Sequence, residues 1–465
     1  MATKTKKKQI RSEIIDLSLP AVGEMFLQLA LTNVDTIMLG RIGSDALAAS
    51  GLSRQLIGII AVVLFAVGAG TTALVARYYG GDNYKSASRV ANQSLALGMI
   101  FSIGVIIFGN LFAGELLELL GAEPEVIKVG IPYMRILTLS VFTKSLMIAG
   151  NSILRSCGDT KSPMIATGII NVVNIILNGL LIFGLGIFPR LELVGAGIAT
   201  VTASAIGAVI VLTILAKNEF GIDISLKGIF SFDLKPVKEI FRIGFPSAME
   251  RIGYQGGHVL IVRVIAMLGT VAVATRQVAM TMESFSVMPS FGLSIAATTI
   301  VGQKLGSDKK EDARLGAKLA NKIGVIATTI VGIIFFVAAE PLARIYTNDP
   351  ELIAASVICL RIIAFAEPAK AINMILGGSF RGAGDTKFPM YLTFIGVWII
   401  CLPLTYLLGI TFDLGLVGIW LAFVADEWFR AIVCIIRFKS DRWMEVEIEE
   451  LEEESVEEEP AEVVN

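Results

Sequence analysis

Glu24, Gln28 and Asp35 stand in an otherwise apolar stretch, and their spacing puts all three on one stripe of a helix. A carboxylate in such a setting is costly, and it is usually kept for an ion, a proton or a fixed partner. A second stretch carries Asn171, Asn174 and Asn178, one amide face by the same spacing. Amide oxygens suit a hard cation such as Na⁺, and Thr200, Thr202 and Ser204 add hydroxyls. The same groups also fit an interhelical hydrogen-bond ladder that holds no ion. Later in the chain come Glu250, Glu283 and Glu367, with Lys370 placed to reach Glu367 at i,i+3. Lys144 is a further cation in an apolar run, and Asp426 with Arg430 forms an i,i+4 pair. Such pairs serve packing as readily as they serve cargo. Pro368, next to Glu367, marks a helix break. Met280, Met282 and Met288 offer either a soft binding surface or ordinary packing.

The elements that must carry these groups follow from composition. The chain has 465 residues, 54% hydrophobic and only 17% charged, with a mean hydropathy of +0.74. A soluble domain carries about 25% charged residues. The apolar excess is gathered into runs such as residues 56–76 and 323–339, each long enough to cross a bilayer as a helix. About twelve such runs follow one another, joined by short polar loops. An all-α integral membrane protein of twelve transmembrane helices is expected, because membrane strands would be shorter and would alternate. Lys and Arg concentrate at the amino end, in the central linker and in the even-numbered connections. That places both termini in the cytoplasm. The first run is long and lacks a small-residue cleavage site, so it does not read as a removable signal peptide.

One polar stretch is written twice. RSCGDTKSPM begins at Arg155 and RGAGDTKFPM at Arg381, an offset of 381 − 155 = 226. The same offset pairs Pro20 with Pro246, Glu24 with Glu250, Gly43 with Gly269, Arg135 with Arg361 and Lys144 with Lys370. The chain is therefore two homologous halves of six helices. Six is even, so the halves are parallel repeats that face each other across a cleft. The reading divides the chain into a basic tail (1–12), an amino-half bundle (13–216), a linker (217–237), a carboxyl-half bundle (238–438) and an acidic tail (439–465). Both Gly-Asp-Thr-Lys stretches become cytoplasmic turns between the fourth and fifth helices of a half. In them Gly supplies an unusual backbone angle and Asp or Thr caps the next helix.

LPAVGEMFLQLALTNVDTIMLGRIGSDALAA, FPSAMERI, TMESFSVMPSFGLSIAATTIVGQKLG and the two Gly-Asp-Thr-Lys stretches together resemble the MATE (multidrug and toxic compound extrusion) family, prokaryotic type, over roughly residues 12–440. The resemblance implies a V-shaped antiporter that alternates between outward and inward faces and lies in the cytoplasmic (inner) membrane. It would expel bulky amphipathic, often cationic compounds in exchange for Na⁺ or H⁺. Asp35 matches the family's first-helix Asp, which holds the coupling cation. Asn174 also matches, but Asn178 stands where the family carries an Asp, so this half has one acid fewer. The ion or proton site expected from this is Asp35, Asn174, Asn178, Gln28 and Thr200. The cleft candidates for substrate are Glu24, Glu250, Glu283, Glu367, Lys370 and Met282.

Other functions fit less well. A flippase of lipid-linked saccharides shares the superfamily's plan and would favour a cationic cleft; the cleft acids favour cationic cargo, while the intramembrane Arg and Lys keep the flippase open. An ion channel lacks a re-entrant filter segment here. An enzyme would need a nucleophile with its base, or a metal cluster, and His258 is the only histidine. Cys157, Cys359, Cys401 and Cys434 show no ligand or disulfide spacing. No phosphate-binding Gly-rich loop is present to use ATP. The expectation is a monomer in a lipid bilayer, with small organic substrates, no nucleic-acid partner and no cofactor beyond the coupling ion.

Overall fold

A computed structural model describes residues 2–446; the acidic run that follows lies outside the described residues. Among the described residues twelve long helical segments follow one another. In the amino half they are α1 (Ala2–Gly40), α2 (Ser44–Gly80), α3 (Tyr84–Leu111), α4 (Pro124–Ser156), α5 (Lys161–Phe183) and α6 (Glu192–Ala216). In the carboxyl half they are α7 (Leu234–Ala266), α8 (Thr270–Gly306), α9 (Lys310–Val337), the broken α10 (Pro350–Ala364 and Glu367–Gly382), α11 (Lys387–Thr411) and α12 (Gly415–Lys439). Among the described residues nine of these are long and apolar enough to cross a membrane, and the two parts of α10, bent by 50°, make a tenth span. The remaining two, α7 and α12, are 33 and 25 residues long and do cover the distance. They are less apolar because α7 carries Glu250, Arg251 and Arg263, and α12 carries Asp426, Glu427 and Arg430.

Local rules explain the boundaries. The Asn83 side chain accepts from the Ser86 amide and starts α3, and Asp159 accepts from the Lys161 and Ser162 amides at the start of α5. Gly158 and Gly384 take positive φ (95° and 87°) in the repeated turns, a region open to Gly at no steric cost. Asp82 and Asp308, also 226 apart, both turn through positive φ (57° and 56°). The duplication is thus preserved down to single backbone angles. The break in α10 falls just before Glu367 and Pro368, where the ring removes a backbone donor.

Three boundaries differ from the sequence reading. The basic tail is not separate: residues 2–12 are the first turns of α1, and Ile10, Ile14 and Leu17 pack against Leu293 and Ile300 of α8. The linker holds a short helix, Leu226–Phe230, and is tied to α3, with Asn92 donating to the Asp223 carbonyl and Gln93 to the Ser231 carbonyl. At the other end, Trp443 is fully buried against Phe380 and Phe438, so the packed fold reaches past residue 439 at least to Met444. An indole has apolar area enough to outweigh the polar residues beside it.

The two halves meet along the ends of α1, α2, α7 and α8 that lie on one face. That face also carries the start of α1, the linker and both Gly-Asp-Thr-Lys turns, and we call it the basic face. Small residues set the approach: a Cβ on Gly70 would strike the Ile240 carbonyl, one on Gly244 the Ala66 carbonyl, and one on Gly306 the Arg77 carbonyl. Close backbone approach through Gly replaces the hydrophobic driving force that lipid removes. Thr299 donates to the Arg155 carbonyl and Gln303 to the Ser156 carbonyl, locking α8 onto the end of α4.

Gly306→Val should force the basic-face ends of α2 and α8 apart. Overpacking of about 1–3 kcal/mol would raise the open population by about 5- to 150-fold. In a background without the native cysteines, Thr298→Cys, which lines the cleft, should then react about tenfold faster with an impermeant maleimide applied to the basic face. An unchanged rate would contradict this closure.

Candidate functional site

Between the halves lies a cavity of two lobes, about 360 Å³ on the amino side and about 380 Å³ on the carboxyl side. Both lobes are lined by Phe65, Arg251 and Arg381, so they meet there. Each is large enough to hold much of a drug-sized molecule.

The acids of the cavity are paired. Arg155 donates to Glu24 at 2.5 Å, and Arg381 donates to Glu250 at 3.2 Å. Since Glu24 and Glu250 are 226 apart, as are Arg155 and Arg381, this is one ion pair made twice. Each pair joins the first helix of a half to the residue that opens its Gly-Asp-Thr-Lys stretch. Deeper in the carboxyl half, Lys370 binds both Glu283 and, at 3.5 Å, Glu367. Arg430 binds Asp426 at 2.7 Å and Glu427 at 2.6 Å, and Asn373 donates to Glu427 at 2.7 Å. Four carboxylates here share two cations. His258 lies between the Tyr254 and Phe423 rings, beside this network.

Asp35 lies apart from these pairs, five residues from the end of α1 that faces away from the basic side. Asn178 donates to Asp35 at 2.8 Å and to the Asn174 side-chain oxygen at 2.8 Å, which ties α1 to α5. Arg54 on α2 and Lys144 on α4 stand near enough to act on the Asp35 carboxylate through space. The side-chain oxygen of Asn178 is buried and has no donor. An acceptor in that state calls for a proton donor or a cation.

Several sequence candidates are placed differently from expectation. Gln28 donates to Glu24 at 3.3 Å and lines the amino lobe, so it belongs to the Glu24–Arg155 pair rather than to the Asp35 cluster. Thr200 donates to the Ala196 carbonyl of its own helix. Met282 is not on the cavity wall: it is buried with Phe335, Cys359 and Leu360, where its apolar length fills a core. Glu367 is 1% exposed and sits behind the wall, facing Lys370. Glu24, Glu250, Glu283 and Lys370 do line the cavity. The sequence reading left out Arg54, Glu427 and Asn373, and did not place Arg251; a charge count on apolar segments flags the three charged residues, and no local signal flags Asn373. At Cys157, just past α4, burial, and then the negative charge of Asp159, pushes the thiol up to about 12, which disfavours the thiolate.

A sequence profile of the MatE family matches residues 20–180 and 246–407, one match to each half. The chain is 34% identical to a probable multidrug resistance protein NorM of Thermotoga maritima, over 95% of this chain and 94% of that one. It is 30% identical to the uncharacterized transporter YisQ of Bacillus subtilis, over 93% and 95%. Among solved structures, an outward-facing multidrug resistance MATE family transporter of the MOP superfamily superposes with a TM-score of 0.85 at 25% identity, over 93% of this chain and 97% of that chain.

The two copies of the Glu–Arg pair differ in burial, and their variants should differ accordingly. Glu24 is 2% exposed and Glu250 23% exposed at the side chain. Arg155→Met strands a buried charge and should cost about 3–5 kcal/mol. Arg381→Met should cost about 1 kcal/mol or less. Glu24→Gln combined with Arg155→Met should recover most of the first loss. Unfolding in detergent measures all three, and equal losses from the two Arg variants would refute the argument.

Proposed function

The chain belongs to the MatE family, and from that premise we propose that it is a secondary active multidrug exporter of the cytoplasmic membrane, exchanging an ion bound at Asp35 for bulky amphipathic organic compounds. Homologues named as multidrug resistance proteins support the efflux reading. The basic face, rich in Lys and Arg, is the cytoplasmic side on this reading, with both termini there. The close backbone contacts between the halves lie on that side, so on this reading the cavity serves the outside.

The observation that carries the coupling is the Asp35 cluster. As a carboxylate, Asp35 accepts from Asn178 on α5 and attracts Arg54 on α2 and Lys144 on α4. It therefore ties the outer part of α1 to α5 and draws it toward two bases on α2 and α4. Taking up a proton removes the charge, leaves Arg54 and Lys144 to repel one another, and frees α1. The ion thus biases a two-state equilibrium, and cargo biases it the other way. H⁺ is the first reading, because a proton needs only one oxygen to bind, whereas a metal cation needs a shell of several. Na⁺ is the second reading, favoured by the undonated Asn178 oxygen beside Asp35.

The charge of the cargo is a separate question. Glu24 and Glu250 each hold an Arg of their own and leave no net charge to select a cation, whereas the four acids that share Lys370 and Arg430 keep an excess of negative charge.

Asp35→Asn should abolish ion-driven efflux of ethidium from proteoliposomes, while the protein keeps its unfolding midpoint within the range of surface variants. Imposing H⁺ and Na⁺ gradients separately should drive wild-type efflux with the first alone. Efflux by the Asn variant at the wild-type rate would overturn the assignment of Asp35, and efflux driven only by Na⁺ would transfer the coupling to the second reading.

A further inference from the structure

Arg251 stands where the two lobes of the cavity meet, and it lines both. Its guanidinium lies over the ring of Phe65, 5.0 Å from the centroid. Phe65 comes from α2 and Arg251 from α7, so this contact bridges the halves. Glu24, Glu250, Glu283 and Glu427, the acids on the cavity wall, are each engaged by another base: Arg155, Arg381, Lys370 and Arg430. Among the described residues no acid pairs with Arg251. Where the lobes meet, Arg155, Arg251 and Arg381 stand with Glu24 and Glu250, three bases to two acids, and this is the more basic part of the cleft. The wall where Glu283, Glu367, Asp426 and Glu427 share Lys370 and Arg430 is its acidic end.

We infer that Arg251 and Phe65 form an anion-accepting subsite for cargo, and that the compounds exported include drug-sized aromatic carboxylates and sulfonates. The inference rests on the exporter reading and adds a substrate class to it. A guanidinium offers two parallel N–H donors that match a carboxylate, and such charge-assisted pairs are the stronger hydrogen bonds. Its stacking on Phe65 keeps the cation in place without neutralising it, since a ring supplies only partial compensation. Phe65 and Phe291 on the amino lobe present apolar surface for the aromatic part of the same molecule. A cargo that also carries an ammonium group would lie with that group toward Glu427. Drawing Arg251 onto a carboxylate loosens its hold on Phe65, so loading this subsite acts on a contact between the halves.

The test uses the full chain in nanodiscs of phosphatidylcholine, which carries no net charge, and carboxyfluorescein as the probe, with binding read by fluorescence anisotropy. Wild type should bind the dye. Arg251→Gln should raise Kd about tenfold or more, as expected from losing a hydrogen bond to a charged group. Arg251→Lys, which keeps the charge but loses the two-pronged fork and the stacked plane, should recover only part of the affinity and fall between wild type and the Gln variant. Equal Kd values for wild type and Arg251→Gln would overturn the proposal, as would equal losses in the Gln and Lys variants. If a polyprenyl diphosphate binds in an Arg251-dependent way and the dye does not, the subsite serves lipid phosphate and the assignment of aromatic cargo fails. Ethidium efflux under an ion gradient separates this from the exporter reading: dye binding lost with ethidium efflux intact sinks only the subsite, and dye binding intact with no gradient-driven efflux sinks only the exporter.

Discussion

A charge inside a bilayer must be matched, and that constraint organises this molecule. Its clearest expression is the ion pair that each half builds once, Glu24 with Arg155 and Glu250 with Arg381. Each Arg ends a helix just ahead of a Gly that turns the chain through positive φ. The turn fixes where the Arg reaches, and the Arg in turn fixes the first helix of its half. In the amino half, the same short segment meets the other half as well: the Arg155 carbonyl takes the Thr299 hydroxyl and the Ser156 carbonyl takes the Gln303 amide. A repeated decapeptide that looked like a loop signature is therefore a joint between helices. Changing it acts on the cavity, on the bundle and on the seal at the basic face together.

The halves share this joint and differ in what they add to it. The amino half keeps one acid, Asp35, among two amides and within reach of two cations. The carboxyl half builds a dense network of four acids on two cations. Dense networks of charge fix geometry, since each member is held by several others. A single carboxylate near the end of a helix can change state without dismantling a wall. On the proposed coupling, this division makes the amino half the moving part and the carboxyl half the framework. Arg251, leaning from the framework onto Phe65 of the moving part, is the natural place for cargo to report its presence.

Much of the architecture was legible in the chain itself, because membrane burial writes a strong signal in apolar runs and duplication preserves spacing. The twelve helices, the parallel halves, the α10 break before Pro368 and the Lys370–Glu367 and Asp426–Arg430 pairs all follow from local periodicity. Pairings between distant helices carry no such signal. Gln28 and Glu24 are an i,i+4 pair, so that contact was open to a local reading, but nothing near Met282 tells that it points into a core. Nor does a cleft acid announce that a base 131 residues away has already claimed it, as Arg155 does for Glu24. The limits of the tails failed for a related reason: Ile10 and Trp443 lie in polar surroundings and bury themselves through partners far along the chain.

The central claim is that the protonation state of Asp35 sets which face of the cleft is open. Spin labels on the basic-face ends of α2 and α8, read by double electron–electron resonance across a pH series, test it without cargo. The account predicts that acidification lengthens the distance in wild type, and that Asp35→Asn holds the long distance at every pH. A wild-type distance that ignores pH, or an Asn variant that responds as wild type does, would contradict it.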